Sequence, residues 1–228
     1  MKLNDAVVVI TGANSGLGKA LALALKLENA KLVISSRIAD EALVGVARET
    51  NGMPIAADIT KEREVVALAD AAVKAYGRID VWINNAGIWI PHTPLEELDF
   101  KRAHELIDVN LFGTMYGSRE ALLRMKKHGF GIIINILSTS ALQGRAGSSA
   151  YCASKYAAKG FTKSLQLEVD GTGVQVIAVY PGGMMTHLFD ENKPDDFEVF
   201  MDPADVANAI VSNIKQNKPL EEVIIRRS

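Results

Sequence analysis

Short runs rich in valine and isoleucine alternate along the chain with longer amphipathic segments, and this alternation most constrains the fold. It is typical of βαβ units built around a parallel sheet. Nearly continuous apolar residues within the short runs indicate strands covered by helices on both faces. The pattern predicts strands at residues 6–10, 31–35, 53–57, 79–83, 131–136, 174–179 and 223–226. It predicts helices at residues 16–28, 39–49, 61–76, 100–127, 148–169 and 203–216, the last with Asp202 as N-cap and Pro203 in its first turn.

The domain organisation follows from length and from the absence of a linker in the sequence. The chain has 228 residues, 48% hydrophobic and 23% charged, enough for one large domain or two small ones with full cores. No Ser- or Pro-rich stretch, internal repeat or low-complexity run divides it. We therefore expect one doubly wound α/β domain over residues 1–228.

Charge and cysteine content limit the partners and the location that we expect. There are 25 Lys and Arg residues against 27 Asp and Glu, with a formal net charge of -2 and no long block of one sign. This pattern argues against nucleic acid and membrane surfaces as partners. A single cysteine, Cys152, fits a reducing compartment, and no apolar stretch reaches the ~20 residues of a membrane span. With an apolar strand starting near the N-terminus, these features predict a cytoplasmic protein.

A glycine-rich turn with the sequence Thr-Gly-Ala-Asn-Ser-Gly-Leu-Gly occupies residues 11–18. It directly follows the first predicted strand and opens the first predicted helix. Glycines allow a pyrophosphate to approach the backbone closely, and the helix N-terminus offers free N–H groups. The spacing Gly-x-x-x-Gly-x-Gly departs from the form Gly-x-Gly-x-x-Gly. The turn predicts a dinucleotide site, and the alternative is a turn that only connects strand to helix.

Tyr151 and Lys155 are four residues apart on a predicted helix and therefore share one face. A free tyrosine has a pKa of about 10, too high for ready proton transfer near neutrality. An ammonium group close to the phenol would lower that pKa by favouring the phenolate. We therefore expect Lys155 to make Tyr151 a stronger acid. The alternative is a solvated helix face.

Further motifs follow in order along the chain. Asn84-Asn85-Ala86-Gly87 follows the fourth strand, Ser138 ends the fifth, and Pro181-Gly182 follows the sixth. With the glycine turn and the Tyr151–Lys155 pair, they make nearly the whole chain resemble the short-chain dehydrogenase/reductase family. The resemblance implies a Rossmann-type sheet of seven strands in the order 3-2-1-4-5-6-7. It also implies hydride transfer between a nicotinamide and a carbonyl or alcohol substrate.

The resemblance implies roles for four residues in the chemistry. Tyr151 would be the general acid in reduction and the base in oxidation, while Ser138 would hydrogen-bond the substrate carbonyl oxygen. Lys155 would also hold the nicotinamide ribose, and Asn110 would support a water-linked proton relay to the lysine. Thr139 and Ser140 are rival hydroxyls, but only Ser138 has the family's spacing to Tyr151. The alternative for Ser138 is hydrogen bonding at the strand end, and Asn110 could also serve a helix kink.

The resemblance also implies a set of residues that contact the dinucleotide. They are Gly12, Asn14, Ser15, Gly16, Leu17, Gly18, Arg37, Asp58, Ile59, Asn85, Ala86, Gly87, Tyr151, Lys155, Pro181, Gly182, Met184 and Thr186. Asp58 would lie near the adenine amino group or cap the next helix, and Thr186 would bind the carboxamide or be an ordinary turn threonine.

Cofactor choice depends on the end of the second strand. NAD sites place an acidic residue there, whereas NADP sites use a nearby arginine for the 2′-phosphate. Ser36 stands in the acidic position and Arg37 follows, which favours NADP(H) and leaves NAD(H) possible. Ser15 stands where many NADP-preferring relatives carry a second basic residue.

The substrate is constrained only to a class. By resemblance, a variable lid covers residues 184–202, and the mixture of side chains around the site suits a small or medium carbonyl or alcohol compound. The expected pocket residues are Trp89, Leu142, Gln143, Arg145, Met184, His187, Leu188, Phe189 and Phe197, with His92 as a further candidate. No metal is expected, because the four histidines share no metal-ligand spacing.

Three alternative functions and the oligomeric state remain to be considered. A carrier-protein-dependent 3-oxoacyl reductase could use the basic run of Arg124, Lys126, Lys127 and His128, although that run also suits the negative end of a helix before Gly129. A non-catalytic dinucleotide-sensing protein usually loses the tyrosine or lysine, and isomerases or dehydratases of the extended branch carry a larger C-terminal domain. We also expect a homodimer or homotetramer, from the resemblance and from small residues on one helix, Ala150, Ala153, Ala157, Ala158 and Gly160.

Overall fold

The computed structural model describes residues 1–227 and contains a parallel sheet of seven strands. The strands are β1 (Val7–Thr11), β2 (Lys31–Ser36), β3 (Met53–Ala56), β4 (Val81–Asn84), β5 (Gly131–Ile136), β6 (Val174–Pro181) and β7 (Glu222–Ile225). Their order in the sheet is β3-β2-β1-β4-β5-β6-β7. The predicted α/β fold, its single Rossmann-type sheet and its strand order are confirmed.

Helices connect the strands and cover both faces of the sheet. They are α1 (Gly16–Leu27), α2 (Glu41–Thr50), α3 (Glu62–Tyr76), α4 (Phe100–Ile107), α5 (Thr114–His128), α6 (Ser149–Glu168) and α7 (Pro203–Lys215). Within residues 1–227, none of them combines the length and the apolar character needed to cross a bilayer.

Apolar cores form on both faces of the sheet because successive strand residues point to opposite faces. In β1, Val8 and Ile10 pack into the core under α1, α2 and α7, whereas Val9 packs into the core under α3, α5 and α6. All three side chains are fully buried. Burying one such side chain contributes roughly 1.5–3 kcal/mol to folding stability. The sheet is therefore a rigid support for the residues at the ends of its strands.

Helix ends follow the predicted local chemistry. The Asp202 carboxylate accepts a hydrogen bond from the Ala204 N–H at 2.8 Å, and Pro203 begins α7 as expected. Three basic side chains lie in the last turn of α5, and Gly129 ends that helix in the left-handed conformation with φ 76°. The predicted capping at both positions is confirmed.

The helix predicted at residues 100–127 is interrupted, which sequence periodicity did not indicate. Between α4 and α5 lies a π-helical turn, Asp108–Gly113, whose hydrogen bonds span one residue more than those of an α-helix. A Cβ atom on Gly113 would lie 2.5 Å from the Ile59 side chain, so this turn packs directly against the loop after β3. Because the polypeptide stays helical throughout, a single turn of different pitch barely alters the apolar pattern.

Candidate active site

A cleft of about 980 Å³ opens at the carboxyl ends of the strands, as expected for an open parallel sheet. Every residue that we predicted to contact the dinucleotide lines this cleft. Ser138 lines it too, whereas Asn110 does not. The sheet thus brings together motifs that are widely separated in sequence.

The glycine turn between β1 and α1 has a backbone that only glycine adopts without strain. Gly12 and Gly16 have φ values of 63° and 51°, in the left-handed region. A Cβ atom on Gly12 would lie 2.8 Å from the Ala86 Cα, and one on Gly18 would lie 2.1 Å from the Gly12 carbonyl oxygen. The turn therefore packs closely against the loop after β4, and its glycines also line the cleft.

The N-terminus of α1 has free donors, unlike those of three other helices. Ser15 makes no side-chain cap hydrogen bond, and the first turn holds no acidic residue. By contrast, aspartate side chains cap α2, α4 and α7. An uncapped helix start beside a glycine turn offers the N–H donors and the dipole that a pyrophosphate requires. The residues present therefore fit a dinucleotide.

Asn85 and Thr11 hold the glycine turn from below. The Asn85 side-chain amide donates to the carbonyl oxygens of Thr11 at 2.8 Å and of Gly12 at 3.0 Å. The Thr11 hydroxyl accepts hydrogen bonds from the Asn85 and Ala86 N–H groups, both at 3.1 Å. The Asn85 side-chain amide thus donates its hydrogen bonds to the protein backbone. Thr11 acts beside it as a positioning residue that sequence reasoning assigned no role.

The residues expected to choose the cofactor lie after β2. Arg37 is exposed and lines the cleft. Ser36 is buried, and its hydroxyl donates a hydrogen bond to the Ile38 carbonyl oxygen. Within residues 1–227, Arg37 makes no ion pair. Asp40 also lines the cleft, but its carboxylate accepts from the Leu43 N–H at 2.9 Å and caps α2.

Asp58 lines the cleft as predicted, but the idea that it caps the next helix is wrong. Its carboxylate accepts from the N–H of Thr60 at 3.0 Å and from the Thr60 hydroxyl at 2.7 Å, forming a local turn. Helix α3 begins four residues after Asp58, with Lys61 at the N-cap position. Burial alone would raise the pKa of Asp58, but the Thr60 hydrogen bonds and the Lys61 cation outweigh it and lower that pKa.

Lys155 is deeply buried on α6, with 6% of its surface exposed. Its ammonium donates to the Ile136 carbonyl oxygen at 3.3 Å and lies 5.9 Å from the centre of the Tyr151 ring. Burial lowers the pKa of Lys155 from its ordinary 10.5 to about 8. The lysine is therefore still mostly charged at neutral pH, but its cation is destabilised by its surroundings.

Tyr151 stands on the cleft wall with the Ser138 hydroxyl beside its phenol. Burial raises the pKa of Tyr151 to about 12, and the Ser138 hydroxyl opposes that rise without cancelling it. Our expectation that Lys155 lowers this pKa is therefore wrong. The Lys155 ammonium is directed to the Ile136 carbonyl, and loss of solvent around the phenol dominates. The phenol is held in its protonated form, ready to donate.

Ser138 lies two residues beyond the end of β5, at the start of a short 3₁₀ turn. Its hydroxyl accepts from the Ser140 N–H at 3.0 Å, which fixes the oxygen beside Tyr151. Thr139 and Ser140 also line the cleft. Of the three hydroxyls, only that of Ser138 influences the Tyr151 pKa.

Asn110 lies buried in the π-helical turn behind the cleft. Its side-chain oxygen accepts from the Ile88 N–H at 2.9 Å, and its amide donates to the Ile88 carbonyl and the Ser154 hydroxyl, both at 3.0 Å. A Cβ atom on the neighbouring Gly87 would lie 3.6 Å from the Lys155 ammonium. The side chain of Asn110 thus holds the loop after β4 beside the lysine.

Aromatic side chains form the wall opposite Tyr151, where the chain between β6 and α7 crosses the cleft. The Phe189 ring packs edge-on against Trp89 at 5.1 Å and against Phe200 at 5.4 Å between ring centres. The structure places most of the expected pocket residues on the cleft, but not Leu142 or Phe197. Phe197 packs behind Phe189, with 6.1 Å between ring centres.

Among the cleft residues to which sequence reasoning assigned no role are Phe200, Arg226 and Arg227. The two arginines follow β7 directly, so the predicted position of that strand beside β6 was the available signal.

Comparisons with known proteins agree with this geometry. Residues 6–196 match the family model of the short chain dehydrogenases. An uncharacterized oxidoreductase of Staphylococcus saprophyticus is 35% identical over 99% of this chain and 97% of its own length. A 3-ketoacyl-(acyl-carrier-protein) reductase from Brucella melitensis, solved with NADH, superposes with a TM-score of 0.91, 27% identity and coverage of 98% and 97%. An alcohol dehydrogenase from Thermococcus sibiricus, solved with 5-hydroxy-NADP, superposes with a TM-score of 0.87, 26% identity and coverage of 97% and 96%.

Proposed function

The chain belongs to the short-chain dehydrogenase family, and on that premise we propose that it reduces a carbonyl compound to an alcohol with NADP(H). The observation that carries the proposal is the shared cleft, where Tyr151, Ser138 and Lys155 face the space that the glycine turn also lines. A proton donor, a second hydroxyl and a cation beside a dinucleotide cradle are the parts that this reaction requires.

Each residue has a separate task in the proposed reaction. The bound nicotinamide would supply the hydride to the carbonyl carbon. Tyr151 donates its phenolic proton to the carbonyl oxygen, where negative charge develops, and Ser138 donates a hydrogen bond to the same oxygen. Lys155 lies beside Tyr151, with its ammonium 5.9 Å from the centre of the Tyr151 ring, and would hold the nicotinamide ribose.

The raised pKa of Tyr151 favours the reductive direction near neutral pH. At about 12, the phenol is almost fully protonated and available as an acid. Oxidation of an alcohol requires the phenolate as base, which is scarce at that pH. We therefore expect the oxidative rate to rise with pH across the alkaline range.

NADP(H) is proposed over NAD(H) because Arg37 is exposed, unpaired within residues 1–227 and placed after β2. Ser36 brings no negative charge that would repel a 2′-phosphate. The two structural neighbours were solved with different dinucleotides, one with NADH and one with 5-hydroxy-NADP, so the preference rests on these two residues of this chain.

Residues 184–202 are proposed to act as the substrate lid within a single domain. Two contacts support this. Phe189 reaches Trp89 across the cleft, and Glu191 pairs with Arg102 of α4 through two hydrogen bonds of 2.6 and 2.5 Å. Arg102 is half-buried and Glu191 is exposed, so solvent reaches this ion pair and the contact is weak enough to open.

A homodimer or homotetramer is proposed from the exposed face of α6. Ala153, Ala157 and Gly160 are exposed along one side of that helix, and Gly160 has open space around its Cα. Small residues allow another helix to approach closely. A monomer by light scattering at micromolar concentration would contradict this assembly.

A second candidate is a reductase that accepts its 3-oxoacyl substrate only on a carrier protein. The likeness to the Brucella melitensis enzyme favours it.

The test measures turnover of a panel of free ketones, aldehydes and 3-oxoacyl thioesters. The loss of NADPH or NADH absorbance reports the reaction. Turnover of free carbonyl compounds with NADPH preferred is the expected result. Activity confined to carrier-bound thioesters would select the second candidate. Dinucleotide binding without turnover of any panel member would select the dinucleotide-sensing alternative.

A further inference from the structure

We propose that the substrate of this site carries an anionic group, a carboxylate, bound by Arg226 and Arg227 at some distance from the reacting carbonyl. This inference rests on the proposed function and narrows its substrate class. It starts from two consecutive arginines that line the cleft and whose side chains make no hydrogen bond or ion pair within residues 1–227.

The sheet order places these arginines at the substrate end of the cleft. Arg37 follows β2 and Arg226 follows β7, and five strand spacings separate the two strands. At about 4.8 Å per spacing, their backbones are roughly 24 Å apart. Arg37 therefore serves the adenosine end, whereas Arg226 and Arg227 lie beyond β6, on the far side of Ser138 and Tyr151.

The position of Arg226 is well defined by the neighbouring strand. The Gly182 N–H donates to the carbonyl oxygen of Ile225 at 2.9 Å, so the chain enters Arg226 directly beside the loop after β6. That loop carries Met184 and Thr186, which line the same cleft. Strand β7 thus places both arginines at the cleft, beside the loop after β6.

The charge balance at this end favours an anion. Arg226 and Arg227 are exposed and make no ion pair within residues 1–227. Arg145, from the loop after β5, also lines the cleft and is unpaired within the same residues. Asp196 of the lid is the carboxylate that lines this end among the described residues. At this end the two guanidinium groups of Arg226 and Arg227 outnumber the one lining carboxylate, and guanidinium binds carboxylate bidentately.

The spacing between the groups indicates where the anion stands relative to the carbonyl. Ser138 follows β5 and Arg226 follows β7, so two strand spacings, about 10 Å, separate their backbones. The walls between them are apolar and aromatic, from Phe189, Phe200 and Met184. A carboxylate several carbon atoms from the carbonyl, joined by an apolar chain or ring, suits this arrangement better than a 2-oxo acid.

The test compares matched pairs of substrates, each an oxo acid and its methyl ester, with the carbonyl at increasing distance from the carboxyl group. In the unaltered protein with NADPH, we expect kcat/KM to favour the acid, most strongly when several carbons separate the two groups. In the double variant Arg226→Gln, Arg227→Gln, the acid-to-ester ratio should fall about ten- to a hundredfold, through KM rather than kcat. Arg48→Gln, on the exposed face of α2, is the matched control and should keep the ratio.

The outcomes separate this inference from the proposed function. Turnover of acid and ester with equal efficiency, or an unchanged ratio in the double variant, would overturn the anion site and leave the reductase proposal intact. If no carbonyl compound is turned over, the proposed function fails. Quenching of Trp89 fluorescence by the oxo acids then decides the anion site alone. Weaker quenching in the double variant than in Arg48→Gln supports it, and equal quenching overturns it.

Discussion

Replacing Lys155 with methionine should stabilise the folded protein at neutral pH while it disables the site. The reason is the burial of a cation. A fall in the lysine pKa from 10.5 to about 8 corresponds, at about 1.4 kcal/mol per unit, to roughly 3 kcal/mol of destabilisation of the charged form. Methionine has a similar length and removes that charge. The variant also loses the hydrogen bond to the Ile136 carbonyl, and this loss reduces the gain in stability by about 1 kcal/mol.

The pH dependence gives this effect a signature. Below about pH 8, both the folded and unfolded states carry the Lys155 proton, and the full destabilisation is present. Between pH 8 and 10, the folded state loses the proton first while the unfolded chain keeps it, so the free energy of unfolding rises with pH. The variant should lack this rise. Its advantage, about 2 kcal/mol at pH 7, should therefore shrink to nothing or reverse by pH 10.

Urea unfolding followed by circular dichroism, at several pH values without added nucleotide, measures this difference directly. The exposed Lys126→Met on α5 is the matched control and should change stability by less than about 0.5 kcal/mol at every pH. A Lys155→Met protein that is no more stable at pH 7, or whose advantage is the same at pH 7 and pH 10, would refute the reasoning.

Two further predictions concern the dinucleotide. Arg37→Asp should weaken NADPH binding about ten- to a hundredfold and move preference toward NADH, measured as kcat/KM for each; equal efficiency with both in the unaltered protein would contradict the assignment. Gly12→Ala places a Cβ atom 2.8 Å from the Ala86 Cα at a φ of 63°, so it should abolish NADPH binding and cost about 1–3 kcal/mol of stability by calorimetry. Gly45→Ala, within α2 and with nothing within 4 Å, is its control and should bind NADPH normally.

The fold was predictable because its signals are local. The runs through Val8 and Ile134 are apolar on both faces, which identifies central strands without any knowledge of their neighbours. The glycine turn was equally predictable from the sequence. The spacing of its glycines, directly after a predicted strand, indicates where a ligand can approach the backbone closely. Strand order, in contrast, came from the family resemblance.

The parts that the sequence could not predict depend on distant neighbours. Tyr151 and Lys155 share a helix face as expected, yet the direction of the Tyr151 pKa is set by burial under several elements. The π-helical turn at Asp108–Gly113 reflects packing of Gly113 against Ile59, more than fifty residues away in the chain. Arg226 gains its meaning only when β7 is placed beside β6.

The central claim is that the Tyr151 phenol transfers the proton, and the most direct measurement compares Tyr151→Phe with the unaltered protein. Phenylalanine keeps the ring and removes the transferable proton. On a substrate that the unaltered protein reduces, kcat should fall about a hundredfold or more, while the NADPH dissociation constant, followed by nucleotide fluorescence, stays nearly unchanged. Tyr156→Phe, an exposed position on the same helix, should keep full activity. Full turnover by Tyr151→Phe would contradict the account.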